Sequence, residues 1–234
     1  MIINKFFQTP SNENFFFGYH DTSQISPDDK HILAIKVDNI GILPSYKFDY
    51  EIFIFDILNK TSKKISSTKT INFQQGSRLH WIDNLHFITN DCDLNKYFSK
   101  IINIKTGHIT KKFDQPIYSI SSNKKFAITL DFERLYWVRR GYSYDAIINK
   151  FKNQKINYDE SISIIDIESG ITKKLFSLRD ILKIDSTKIM NNATHYLEHI
   201  SISPDDKKFI FLHRFKLDDG GIFSRMFKYE ISKK

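Results

Sequence analysis

Apolar and polar residues alternate with a period of two along most of the chain, in short runs broken by turn residues, which predicts β-strands joined by tight turns. The clearest run is SISIIDIESGITKKLF, Ser161 to Phe176. Ile162, Ile164, Ile165 and Ile167 supply a β-branched strand, Glu168-Ser169-Gly170 the turn, and Ile171 to Phe176 the returning strand. IFIFDILNKTSKKIS from Ile52 and KIINIKTGHITKKFD from Lys100 repeat the plan, each with an Asp or Asn, an Ile, a polar turn and a Lys-Lys pair on the outgoing strand. A second kind of hairpin turns at Ser26-Pro27-Asp28-Asp29-Lys30, before the apolar strand His31 to Val37. It returns as HISISPDDKKFIFLHRF, His199 to Phe215, and in a weaker form as YSISSNKKFAITLDF from Tyr118. GSRLHWIDNLHFITN from Gly76 keeps the same plan, with Asp83-Asn84 as its turn.

Interleaving the two hairpins gives a four-stranded antiparallel unit, and a repeated unit of that kind predicts an all-β propeller. The expected blades cover about 15–66, 72–113, 116–177 and 195–234 of a single domain 1–234. The fourth lacks its last strand, so an incomplete or open propeller is expected. Two insertions interrupt the plan: 138–160, with a short helix expected around Asp145 to Asn153, and 178–192, where Leu178, Ile181 and Leu182 have helical spacing after Ser177 as a cap. With few blades, apolar blade faces should stay bare around Ile32, Ile35 and Phe53 and around Phe211, Phe223 and Phe227. Self-association, or pairing with a separately encoded C-terminal half, is the expected consequence.

Composition narrows the class. At 234 residues, 41% hydrophobic and 15% aromatic, the chain can bury a sizeable core. No apolar run approaches a membrane span, and MIINKFFQTPSNENFFFGYH lacks the apolar stretch of a signal peptide, so a cytoplasmic location without membrane attachment is expected. Cys92 stands alone, which fits a reducing compartment. The net charge, 35 minus 27 or +8, could suit a polyanion, but Lys63-Lys64, Lys111-Lys112, Lys173-Lys174 and Lys233-Lys234 read better as guards on exposed sheet edges. Nucleic acid is therefore not an expected partner.

The ordered motifs GYHDTSQISPDDK, NFQQGSRLHWI, YSISSNKKFAITLDFERL, RRGYSY and HISISPDDKKFIFLHRF resemble bacterial β-propeller proteins related to oligogalacturonate lyase and the TolB-like propellers. The resemblance runs from Phe15 to Phe227, and it is to the N-terminal part of longer members. Arg140 stands where the family's pattern has proline. The resemblance implies polysaccharide chemistry: lyases of this shape neutralise a uronate carboxylate, remove a C5 proton with His or Tyr, and protonate the leaving oxygen.

Residues of those types fall on expected inner strands. His20, His80, Tyr118 and His199, with Arg134 and His213 on second strands, are the candidate catalytic groups. Tyr19, Gln75, Arg139, Tyr142 and Arg214 are the candidate substrate contacts. For each His or Tyr, a packed residue closing its blade is the competing reading; Trp81 and Trp137 read as inter-blade core. No cofactor or metal is expected: His195 and His199 lack a third ligand, and His199 with His213 is the easier pair on adjacent strands. Two readings follow: a propeller binding an acidic glycan or a protein without full catalytic activity, or a polysaccharide lyase-like enzyme acting by β-elimination.

Overall fold

The computed structural model describes residues 7–38 and 41–231. Its strands form four antiparallel meanders. The first sheet is β1 (Phe15–Phe16), β2 (His31–Lys36), β3 (Tyr50–Asp56) and β4 (Thr61–Thr68), in that order. The second is β5 (His80–Trp81), β6 (His86–Cys92), β7 (Tyr97–Asn103) and β8 (Ile109–Phe113). The third is β9 (Ser119–Ile120), β10 (Phe126–Thr129), β11 (Ser161–Asp166) and β12 (Thr172–Ser177). The fourth has three strands, β13 (Thr194–Ile202), β14 (Lys208–Lys216) and β15 (Ile222–Glu230). This is the all-β, propeller-like fold that the repeats predict. Two compact units are resolved. One runs to Asp114 and includes Tyr144–Ala146; the other takes Gln115–Ser143 and the chain from Ile147 onward.

The repeats work through shared turn chemistry. In the Ser-Pro-Asp-Asp turns the Ser26 hydroxyl donates to Asp28 (2.7 Å) and accepts from the His31 amide (3.0 Å), and Asp29 sits at φ 58°. The weaker copy does the same with Ser121, Asn123 and Phe126, with Lys124 at φ 60°. In the other hairpins Asp56, Asn103 and Asp166 accept backbone amides two or three residues on, at 2.8, 2.9 and 2.6 Å. Four residues after each, the backbone turns left-handed, at Lys60 (φ 55°), Gly107 (74°) and Gly170 (80°). The outgoing strands β4, β8 and β12 are sheet edges, and their lysine pairs lie on them, Lys111 half-buried and the others exposed. Lys233-Lys234 lies outside the described residues.

Packing covers most of the faces that the sequence leaves bare, although Phe223 of the last sheet stays 44% exposed. Leu33, Ile35, Ile52 and Ile54 of the first sheet meet Trp81, Phe87, Ile102 and Ile104 of the second in one core. On the opposite face Phe15 lies 5.4 Å from Phe53 and 5.0 Å from Phe55, and Phe7 lies 5.4 Å from Phe55. Ile35 is fully buried and Phe53 half-buried. In the second unit Phe176 of β12 packs 4.9 Å from Phe211 and 5.3 Å from Tyr229, and Phe211 is buried. Fully burying a ring such as Phe55 or Phe211 is worth about 1.5–3 kcal/mol.

The irregular segments also differ from expectation. A helix, α1 (Phe132–Val138), starts where a second strand was expected to continue, because Asp131 caps it by accepting the Arg134 amide at 2.8 Å. Arg134 is thus helical, and Trp137 is a half-exposed helix residue whose indole donates to the Ile147 carbonyl (3.4 Å). No helix forms over Asp145 to Asn153. Tyr144 is buried in the first unit, where its carbonyl accepts from Tyr97 (2.6 Å), and Asp145 spends its carboxylate on Ser45 and the Tyr46 amide (2.8 Å each). The expected helix after Ser177 is present as α2 (Leu178–Ile181), with Ser177 donating to Asp180 at 2.8 Å. Among the described residues no helix is long and apolar enough to cross a membrane.

Candidate functional site

The second unit gathers four of the expected site residues around a carboxylate. β13 carries a bulge between Glu198 and Ser201, with His199 at φ 54° inside it. An extra residue in one strand re-aims the side chains beside it. Glu198, opposite Leu212, is fully buried. Arg214 on β14 pairs with it through Nε, Arg139 Nε lies 3.2 Å from it, and His199 Nδ1 lies 3.3 Å from it. Arg139 caps the C-terminus of α1, and Gly141 (φ 94°) turns the chain so that Tyr142 comes back over it. The Arg139 guanidinium sits 4.2 Å from the Tyr142 ring, which lies 5.3 Å from the His199 ring.

Charge is the informative property of this cluster. Two guanidiniums, each about one-fifth exposed, share one carboxylate that is 1% exposed, which leaves a net charge of two minus one, or +1. Burial works against the charge on Arg139, but Tyr142, Tyr196 and Glu198 outweigh it and hold the guanidinium more firmly protonated than usual. Such a half-open cationic cluster can pair with a carboxylate, and Arg suits the task because its fork is planar.

Other candidates in this unit are framework. Arg134 is fully buried and donates to the carbonyls of Phe151 and Gln154 (2.6 Å each) and Lys155 (3.2 Å), pinning that loop. Its Nε lies 3.9 Å from Glu160, which accepts the Leu197 amide at 2.7 Å and whose carboxyl burial raises well above the usual range. Tyr118 is 1% exposed, 6.1 Å from Phe132. His213 pairs with His195, not with His199. The tautomers are fixed by the bonds. His195 Nε2 can only donate to the Met190 carbonyl (2.8 Å), so its Nδ1 accepts from His213 Nε2 (2.9 Å), and His213 Nδ1 accepts from Arg225 Nε (3.1 Å). Arg225 continues to the carbonyls of Ile181, Ile184 and Asp185 behind α2. Burial, then Arg225, then His195, push the His213 pKa down to about 3.

The first unit joins the GYHD and QQGSR motifs. A side chain on Gly76 would meet the Phe17 carbonyl at 2.6 Å, and one on Gly18 the Gln75 carbonyl at 3.1 Å, so the two backbones lie in contact. Arg78, fully buried at φ 56°, forks onto Asp21 at 2.8 and 3.1 Å. His20 is exposed beside Tyr19, ring to ring 4.2 Å, whereas Gln75 and His80 are buried. Asp21 and Glu198 escape a sequence search for His, Tyr and Arg, and Arg78, although of the sought type and inside NFQQGSRLHWI, is not among the sequence candidates. An acid in the middle of an apolar strand, as in THYLEHISI, is the signal that finds Glu198. Among the described residues no three His, Cys, Asp or Glu side chains are grouped to hold a metal ion.

The fold defines a class, the propeller-like proteins of four-stranded blades. Within it the chain is similar to oligogalacturonate lyase from Vibrio parahaemolyticus, at 13% identity and a TM-score of 0.53, over 93% of this chain and 54% of that one. It is also similar to hydrazine synthase from Kuenenia stuttgartiensis (11% identity, TM-score 0.50, 89% and 50% covered) and to TolB from Acinetobacter baumannii (16%, 0.46, 90% and 44%). The chain spans about half the length of these structures. No family model and no curated protein matches it. At these identities the likeness is one of fold.

Proposed function

We propose that the protein binds an acidic carbohydrate, a uronate-containing chain, at the Arg139–Arg214 cluster, as part of polysaccharide metabolism. The observation that carries this reading is the uncompensated positive charge: two partly open guanidiniums around one buried carboxylate, next to the Tyr142 ring. A uronate offers a planar carboxylate for a guanidinium and a sugar face for an aromatic ring. Binding rests on a screened ion pair, so it weakens with salt. Calorimetric titration with oligogalacturonate, and with its neutral methyl ester, tests this. Binding of the acid alone is expected; equal binding of the ester, or of neither, would refute it.

A second reading has one observation in its favour. His199 sits in left-handed backbone, beside Glu198 and Tyr142, and strained backbone is common where residues act chemically. In a lyase His199 would take the C5 proton while Arg139 or Arg214 neutralised the carboxylate, the C4–C5 double bond forming as the C4–O bond breaks and the leaving oxygen takes a proton from water. The binding reading expects no ultraviolet absorbance of unsaturated product from polygalacturonate. Absorbance that vanishes in His199→Ala would establish the enzyme instead.

A further inference from the structure

We propose that a cavity beside the loop between β2 and β3, in the first unit, binds a small organic cation: a primary ammonium carried on an aromatic body. The loop and the strand ends next to it leave a space of about 420 Å³, within the range of small-molecule sites. Val37, Pro44, Tyr50 and Phe73 give it an apolar wall. Ile42, Leu43 and Phe48 line it as well, yet remain 58%, 82% and 57% exposed. Three large apolar side chains left in water on one loop mark a surface that receives something.

The loop is anchored at its centre. Tyr50 Oη accepts the Ser45 amide at 2.8 Å, Asp145 accepts the Ser45 hydroxyl and the Tyr46 amide at 2.8 Å each, and the Phe48 amide donates to the Ser45 carbonyl at 3.1 Å. The cavity is therefore largely formed before a ligand arrives, which favours binding because little has to be ordered.

Charge selects the ligand. Two lysines and three carboxylates line the cavity, a balance of two minus three, or −1, in a chain whose net charge is +8. Both lysines are already engaged, Lys36 at 2.6 Å from Glu13 and Lys64 at 2.8 Å from Glu51. Asp38 and Asp49 remain, with no ion pair among the described residues. The acid excess is felt at Lys36: its hydrogen bond to Glu13, together with the charges of Glu13, Glu51 and Asp38, outweighs burial and raises its pKa. An anion is disfavoured in such a place, whereas an ammonium meets carboxylates and the rings of Phe48, Tyr50 and Phe73. A metal ion fits less well, because among the described residues no three His, Cys, Asp or Glu side chains are grouped to hold one.

Amide-resolved NMR titration of the full chain with 2-phenylethylamine, and with 3-phenylpropionate as the anion of matching shape, tests the inference. The amine should bind one to one, move the amide signals of Val37, Leu43 and Phe48 to Glu51, and bind at least about tenfold more tightly than the acid. Asp38→Asn and Asp49→Asn should each weaken it about threefold, as loss of a partly exposed ion pair does, and the double variant about tenfold, since separate effects add. Both aspartates are exposed, so the variants should keep the wild-type unfolding temperature. The cavity shares no residue with the Arg139–Arg214 cluster, so the two sites stand or fall separately. A wild type that does not bind the amine, equal binding of the acid, full affinity in the double variant, or shifts confined to residues outside this cavity would each overturn the proposal.

Discussion

Buried polar side chains in this protein do two different jobs, and substitution separates them. Glu198 holds Arg139 and Arg214 in place, so Glu198→Ala strands two guanidiniums and should lower stability by about 3 kcal/mol or more, seen as an earlier urea midpoint. His213 is kept neutral when folded, its pKa down at about 3 against an ordinary value of 6.5. Its contribution is complete above the ordinary value and is lost as pH falls through that window, because the unfolded chain then binds a proton that the folded one refuses. Comparing the pH dependence of stability in wild type and His213→Gln isolates the effect from Glu160 and Asp131, whose buried carboxyls are shifted upward. The wild type should show the steeper fall between pH 6.5 and 3. Burial pushes the Cys92 thiol up to about 12, so native protein should resist iodoacetamide until it is unfolded. Of the candidate site residues, Arg139, Tyr142, His199 and Arg214 sit in motifs and are brought together around Glu198. Arg134 and His213 were misread as facing a ligand because strand position says nothing about which side chains close a polar chain inside.

At the scale of elements, hairpins and turns are the readable part. The Asp or Asn that opens each hairpin, the serine that closes each Ser-Pro-Asp-Asp turn and the edge lysines all act through neighbours within a few residues, so local sequence dictates them. The same chemistry predicts unequal tolerance at equivalent positions. Gly107→Ala forces a side chain to φ 74° and to 2.9 Å from the Ile65 carbonyl, and should cost about 1–2 kcal/mol. Lys60→Gly relieves φ 55° at the matching place and should be neutral or slightly stabilising in the same urea titration. What was not readable depends on distant residues. A helix is expected around Asp145 to Asn153, yet Tyr144 and Asp145 are claimed by Tyr97, Ser45 and Tyr46, about a hundred residues or fewer away in the chain, and such tertiary bonds override local preference.

For the whole molecule, the repeats define an all-β, propeller-like chain, and its sheets bring the RRGY motif onto the β13 bulge so that Arg139, Arg214 and Tyr142 surround Glu198. Whether the cluster receives a uronate is decided by a crystal structure of the protein with oligogalacturonate. A uronate carboxylate should lie within hydrogen-bonding distance of the Arg139 and Arg214 guanidiniums, with the sugar beside Tyr142. Oligogalacturonate bound elsewhere, with only water on those two arginines, would contradict it.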